Sequence, residues 1–135
     1  SVQERFIAGL MQKPERFQSL PPIASSFFID IDSIYSLYSH AFSIQADAED
    51  NNTDIARQLA QEFPQCQTLI SRWVNQATVQ HIEFESLSLD MESNDIRRRL
   101  KNRLSLHDTI QAQKRLNEIK QLQGQLSEQI ESERE

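Results

Sequence analysis

This sequence predicts an all-α fold, an irregular helical bundle with a long C-terminal coiled-coil-like helix, and three observations predict it. Only two glycines occur in 135 residues. That is too few for the turns of an all-β sandwich or the phosphate-cradling loops of nucleotide folds, which need positive-φ positions that glycine occupies most cheaply. Apolar residues between Cys66 and Ala77 recur at three- and four-residue steps, which places them on one side of a helix but on both sides of a strand. From Gln65 onward no proline interrupts the chain, and strong helix formers dominate its final segment.

The elements follow in order. Between Val2 and Gln12, the spacing of Phe6, Ile7, Leu10 and Met11 presents an apolar stripe on a helix. Lys13-Pro14 ends it. Pro14 can open a short second helix carrying Phe17 and Leu20, because the N–H that proline lacks is unpaired in a first turn anyway. Glu15 is favourable there, at the positive end of the helix dipole. Pro21-Pro22 predicts an extended stretch, since proline disfavours helical geometry in the residue before it. Phe27-Phe28-Ile29 has strand-like content, but after Asp30 the spacing of Ile31, Ile34, Leu37 or Tyr38, and Ala41 favours a helix despite Ser33, Ser36, Ser39 and Ser43. Gln45 to Thr53 is acidic and polar and predicts a surface loop. Asn52 or Thr53 is placed to cap a helix in which Ile55, Leu59 and Phe63 share a face, before Pro64 stops or kinks it.

From Gln65 the pattern of Cys66, Leu69, Ile70, Trp73, Val74 and Ala77 predicts a core helix, which Ile82 and Phe84 can extend toward Leu87. Ser86 to Asp95 mixes serines, acids and leucines and predicts a break, with Ser93 or Asn94 as the next N-cap. Asp95 to Glu135 then reads as one helix of about forty residues, roughly 60 Å long at about 1.5 Å per residue. Ile119, Leu122 and Leu126 fit an a-d-a spacing, after which the seam drifts to Ile130. Propensity alone cannot stabilise such a stripe, so a second helix, from this chain or another copy, is expected along it. Gly124 weakens it by about 1 kcal/mol relative to alanine. The expected organisation is a helical head over residues 1–92 and a long helix over 93–135 that packs on the head and extends as a stem.

Chemistry-bearing constellations are sparse. One cysteine excludes an intramolecular disulfide and a multi-thiolate zinc cluster, and Cys66 sits on an apolar stripe where a buried, inert thiol is expected. His40, His81 and His107 are too far apart to form a local metal pair; Glu83 and Glu85 follow His81 closely enough for a solvent-facing polar face. Phe27 to Asp32 superficially resembles the hydrophobic run and Asp-x-Asp that open phosphatases of the haloacid dehalogenase class. Ser33-Ile34 stands where that class needs glycine or threonine for its phosphate-gripping turn, and no parallel strands follow. No catalytic, cofactor-binding or metal-binding residue is therefore assigned. Trp73 with Phe6, Phe17, Phe27, Phe28, Phe42 and Phe63 is expected in the core, with a ligand pocket between helices as the alternative use.

Charge bounds the partners. The net charge of −6 opposes whole-domain attraction to nucleic acid or an anionic membrane. Eight of the fourteen basic residues nonetheless fall between Arg97 and Lys120. The run Arg97, Arg98, Arg99, Lys101 and Arg103 wraps around a helix without an aromatic to stack on bases, so it predicts a solvated collar or a patch for acidic groups. Asp95 is spaced to pair with Arg99. The expected function is a non-enzymatic interaction and oligomerisation module. A protein partner or second copy would be held through Leu116, Ile119, Leu122, Leu126 and Ile130, with the basic run setting electrostatic register. The alternatives are a regulatory input domain of a signalling enzyme, transmitting through its last helix, and a helical secretion chaperone or adaptor. The chain starts without methionine and ends inside a helical pattern, so it is expected to be a fragment of a larger protein. A cytoplasmic location, no cofactor and no membrane span complete the expectation.

Overall fold

The computed structural model describes residues 2–28, 33–47 and 54–134, and every regular element among them is helical. The α-helices are α1 (Val2–Gln12), α2 (Ser33–Asp47), α3 (Ile55–Glu62), α4 (Gln67–Val74), α5 (His81–Leu100) and α6 (Leu106–Arg134). Proline-led 3-10 turns occupy Pro14–Ser19, Pro22–Ser26 and Pro64–Cys66. The chain divides into two units, residues 1–80 and 81–135. That boundary lies twelve residues before the one expected from sequence at residue 93, because α5 begins at His81 and runs unbroken.

In the first unit α1 is buried continuously from Phe6 to Met11, so it is enclosed rather than lying on the surface with one stripe inward. Burying each of Phe6, Ile7 and Leu10 contributes about 1.5–3 kcal/mol, which makes this short helix the centre of the unit. It packs on α4 and on the turn Pro14–Ser19, while α2 packs on α3. Pro14 opens its turn as the sequence predicts and carries buried Phe17. Pro21 is extended, but Pro22 starts a further turn instead of prolonging that stretch, because a proline without an N–H also suits a first helical position. Aromatic rings hold these turns to α2. Phe28 and Tyr38 lie 4.4 Å apart between centroids, Phe6 touches Phe27, Phe28 and Tyr38, and Phe17 meets Phe42 edge-on at 6.2 Å. The Tyr38 hydroxyl donates to the Ala24 carbonyl, satisfying the one polar atom of that buried ring.

The expected loop from Gln45 begins later, since α2 reaches Asp47. Asp30, Ile31, Asp32, Asn52 and Thr53, named in the sequence reading, lie outside the described residues. The cap of α3 is Asp54, whose side chain accepts from the Arg57 backbone N–H at 3.0 Å. The core helix after Pro64 buries Ile70 and Trp73 as expected but stops at Val74, leaving Val74 and Ala77 exposed. Past that end, the backbone carbonyls of residues 76–79 accept from side chains of Arg5, Gln12 and Arg16 in place of a continued helical ladder.

The second unit is a helical hairpin. The predicted break at Ser86 to Asp95 is absent; Met91, Glu92, Ser93, Asp95 and Ile96 are buried, and tertiary burial outweighs the small propensity cost of serine and aspartate. The break falls instead at residues 101–105, so the forty-residue rod divides. Ser105 caps α6 by accepting from the Asp108 N–H at 3.1 Å. The long C-terminal helix is thus Leu106–Arg134, 29 residues and roughly 43 Å, packed along α5.

Candidate interaction surface of the hairpin

The α5–α6 seam is built first from α6. Its least exposed positions include Ala112, Leu116, Ile119, Gln123, Leu126 and Ile130, at steps of four, three, four, three and four. This is an unbroken heptad stripe with one polar member. Leu122 is therefore not a seam residue: it is 38% exposed on the flank, and Gln123 takes its place. The drift in the sequence pattern arose from following the apolar residue rather than the spacing. Of the five residues predicted to pair with another helix, Ile119 is buried, Leu116, Leu126 and Ile130 are half-buried, and Leu122 is exposed.

Three polar contacts hold the register. Glu92, buried on α5, accepts from Arg115 of α6 through both oxygens, at 2.6 Å from Nε and 3.0 Å from Nη2. Arg115 also reaches Glu118 at 3.1 Å. Its pKa is raised above the ordinary value, first by the hydrogen bond to Glu92, so the guanidinium stays charged. Gln123 donates to Asp90. Between them these contacts tie Asp90 to Gln123 and Glu92 to Arg115, the descending order of an antiparallel pair. By sequence Asp90 and Glu92 suit the start of the last helix, but they lie inside α5 and face α6; Arg115 and Gln123 had no assigned role, and the available signal was the three-four spacing that runs through Gln123.

At the turn end the basic run divides into two classes. Asp95, buried, binds Arg98 through one oxygen at 3.3 Å and Arg99 through the other at 3.0 Å, the latter as its i+4 spacing predicted. Arg97, Lys101 and Arg103 are exposed. On α6, just after the turn, Leu106 is 77% and Ile110 52% exposed, one helical turn apart. Residues 97–110 thus include two exposed aliphatic side chains and three exposed cations other than the two that Asp95 binds. These residues include no aromatic side chain that could stack on a base.

His81 Nε2 lies 2.8 Å from Glu85 on its own helix, and His40 meets Glu62 and packs edge-on against Phe63. Cys66 is half-buried at the start of α4 instead of inside the core. Among the described residues no group of three or more histidines, cysteines or acids gathers as for a metal ion. Among the described residues, no helix is long and apolar enough to cross a membrane. Comparison of the chain with protein-family models, with curated proteins and with solved structures found no match.

Proposed function

We propose that this chain is a non-enzymatic helical interaction module whose hairpin engages a protein partner, with a cytoplasmic setting. The observation that carries the reading is the stretch around the turn, in which Leu106, Ile110, Arg97, Lys101 and Arg103 are all exposed within fourteen positions of sequence. Isolated exposed leucines are ordinary on protein surfaces, but a pair at i and i+4 flanked by like charges matches the way a groove or helix of opposite charge is recognised. The partner is an acidic, amphipathic protein segment. Homotypic pairing remains available to Leu122 on the flank and to the partly uncovered Leu126 and Ile130. The buried Ile119 is already committed to α5 and serves the hairpin instead.

Fluorescence anisotropy tests the reading with a labelled helical peptide bearing glutamates and leucines on one face. Leu106→Asp, or Arg97, Lys101 and Arg103 changed together to Ser, is expected to weaken binding at least tenfold, with far-UV helicity retained. Equal binding by wild type and both variants overturns the turn-end assignment. A single-stranded oligonucleotide in the same assay at two salt concentrations is expected to show no steep salt dependence; a steep one points to phosphate binding instead. For self-association, sedimentation compares the wild type with Leu122→Asp plus Leu126→Asp. Monomeric mass in both removes homodimerisation through this helix.

A further inference from the structure

Between α4 and α5 lie six residues without regular structure, Asn75 to Gln80, and side chains from the start of the chain hold their backbone. Arg5 Nη1 donates to the Ala77 carbonyl at 2.7 Å, and its Nη2 to that of Thr78 at 3.4 Å. Gln12 acts on both sides of the peptide. Its Nε2 donates to the Gln76 carbonyl at 3.1 Å, and its Oε1 accepts from the Val79 N–H at 3.0 Å. Arg16, only 6% exposed, donates to the Val79 carbonyl at 2.6 Å and to the Gly9 carbonyl of α1 at 3.1 Å. Val79 itself has no exposed surface. Three side chains spaced along α1 and its following turn therefore satisfy carbonyls from Gln76 to Val79 and the N–H of Val79, groups that a helix or sheet would otherwise pair.

We infer that Arg5, Gln12 and Arg16 form a clasp that fastens residues 76–79 to the first unit and can open without unfolding it. Closed, the clasp holds residues 76–79 against α1 and the turn that follows it. Open, it releases a six-residue tether with a reach of about 20 Å at roughly 3.4 Å per extended residue. Two features make it a separable device. The segment holds one fully buried apolar side chain, Val79, whereas Phe6, Ile7 and Leu10 belong to α1 and lie outside it. Carbonyl and N–H groups of the segment can exchange their side-chain partners for water, so opening leaves none of its backbone groups buried and unpaired.

The test uses the full chain with Arg5→Gln, Gln12→Leu and Arg16→Met, singly and combined. Limited digestion with thermolysin, which cuts on the amino side of valine, reads access to the Thr78–Val79 bond, and hydrogen exchange reads the Val79 amide. The clasp predicts at least tenfold faster cutting at that bond and faster exchange at Val79 in Gln12→Leu and Arg16→Met, with protection from Phe6 to Met11 unchanged. Arg5→Gln, at the partly exposed end of the clasp, gives a smaller effect of the same kind. Unchanged cutting and exchange in the combined variant overturn the inference. Loss of α1 protection in parallel with Val79, in Arg5→Gln as well as in the buried variants, also overturns it, because the contacts would then be inseparable from the core.

Discussion

Glu92 and Arg115 form the contact whose removal tells most about the hairpin. Glu92 is buried, but Arg115 is 38% exposed, so solvent screens part of the attraction and the pair falls between the buried and surface cases. Arg115→Met is expected to destabilise the hairpin by about 1–2 kcal/mol by leaving Glu92 without its bidentate partner. Glu92→Met plus Arg115→Met should recover much of that loss, as a double-mutant cycle in urea would show. The pH dependence has a definite sign. A group whose folded pKa is raised contributes its stabilisation fully below its unfolded value and loses it only as pH rises through the folded one. The cost of Arg115→Met through that ionisation is therefore the same at about pH 7 and about pH 10, and a cost that vanished at the higher pH would contradict the assignment.

The α6 helix separates seam from flank within a single turn. Ile119 is buried, and Ile119→Ala is expected to cost about 2–4 kcal/mol from lost burial and the cavity left behind. Leu122→Asp removes a side chain already 38% exposed, so a change within about 1 kcal/mol is expected in the same denaturation experiment. The reverse order would restore the a-d-a register read from the apolar residues alone. Gly124 stands in the same helix, and nothing lies within 4 Å of where a Cβ would be added. Gly124→Ala should therefore raise stability by about 0.5–1 kcal/mol, seen as a higher melting temperature, because it removes freedom from the unfolded chain at no steric cost.

Across the molecule the two units rest on different amounts of core. The first encloses α1 and an aromatic cluster, whereas the second is one pair of helices joined through a narrow seam. The single tryptophan, Trp73, is fully buried in the first unit. Its fluorescence reports that unit, while far-UV circular dichroism reports all helices. Urea transitions followed by the two probes are expected not to coincide, with helicity beginning to fall first and hairpin amides exchanging before those of α1. Coincident transitions would mean that both units unfold as one cooperative body.

Local chemistry decided the kind of element almost everywhere, because apolar spacing, scarce glycine and proline position act within a few residues of one another. It placed Val2 to Gln12 in a helix, started a turn at Pro14, stopped a helix before Pro64, and paired Asp95 with Arg99, all through neighbours on one stretch of chain. Tertiary structure decided where helices end and what each polar residue means. The carbonyls after Val74 are taken by side chains more than sixty positions earlier, a competition no local window contains. Gln123 belongs to the seam because Asp90 stands opposite it, and the expected rod turns back at residues 101–105 because α5 supplies the surface its stripe must cover. Periodicity reports that a stripe needs a partner; only packing, which joins residues distant in sequence, selects which partner meets it.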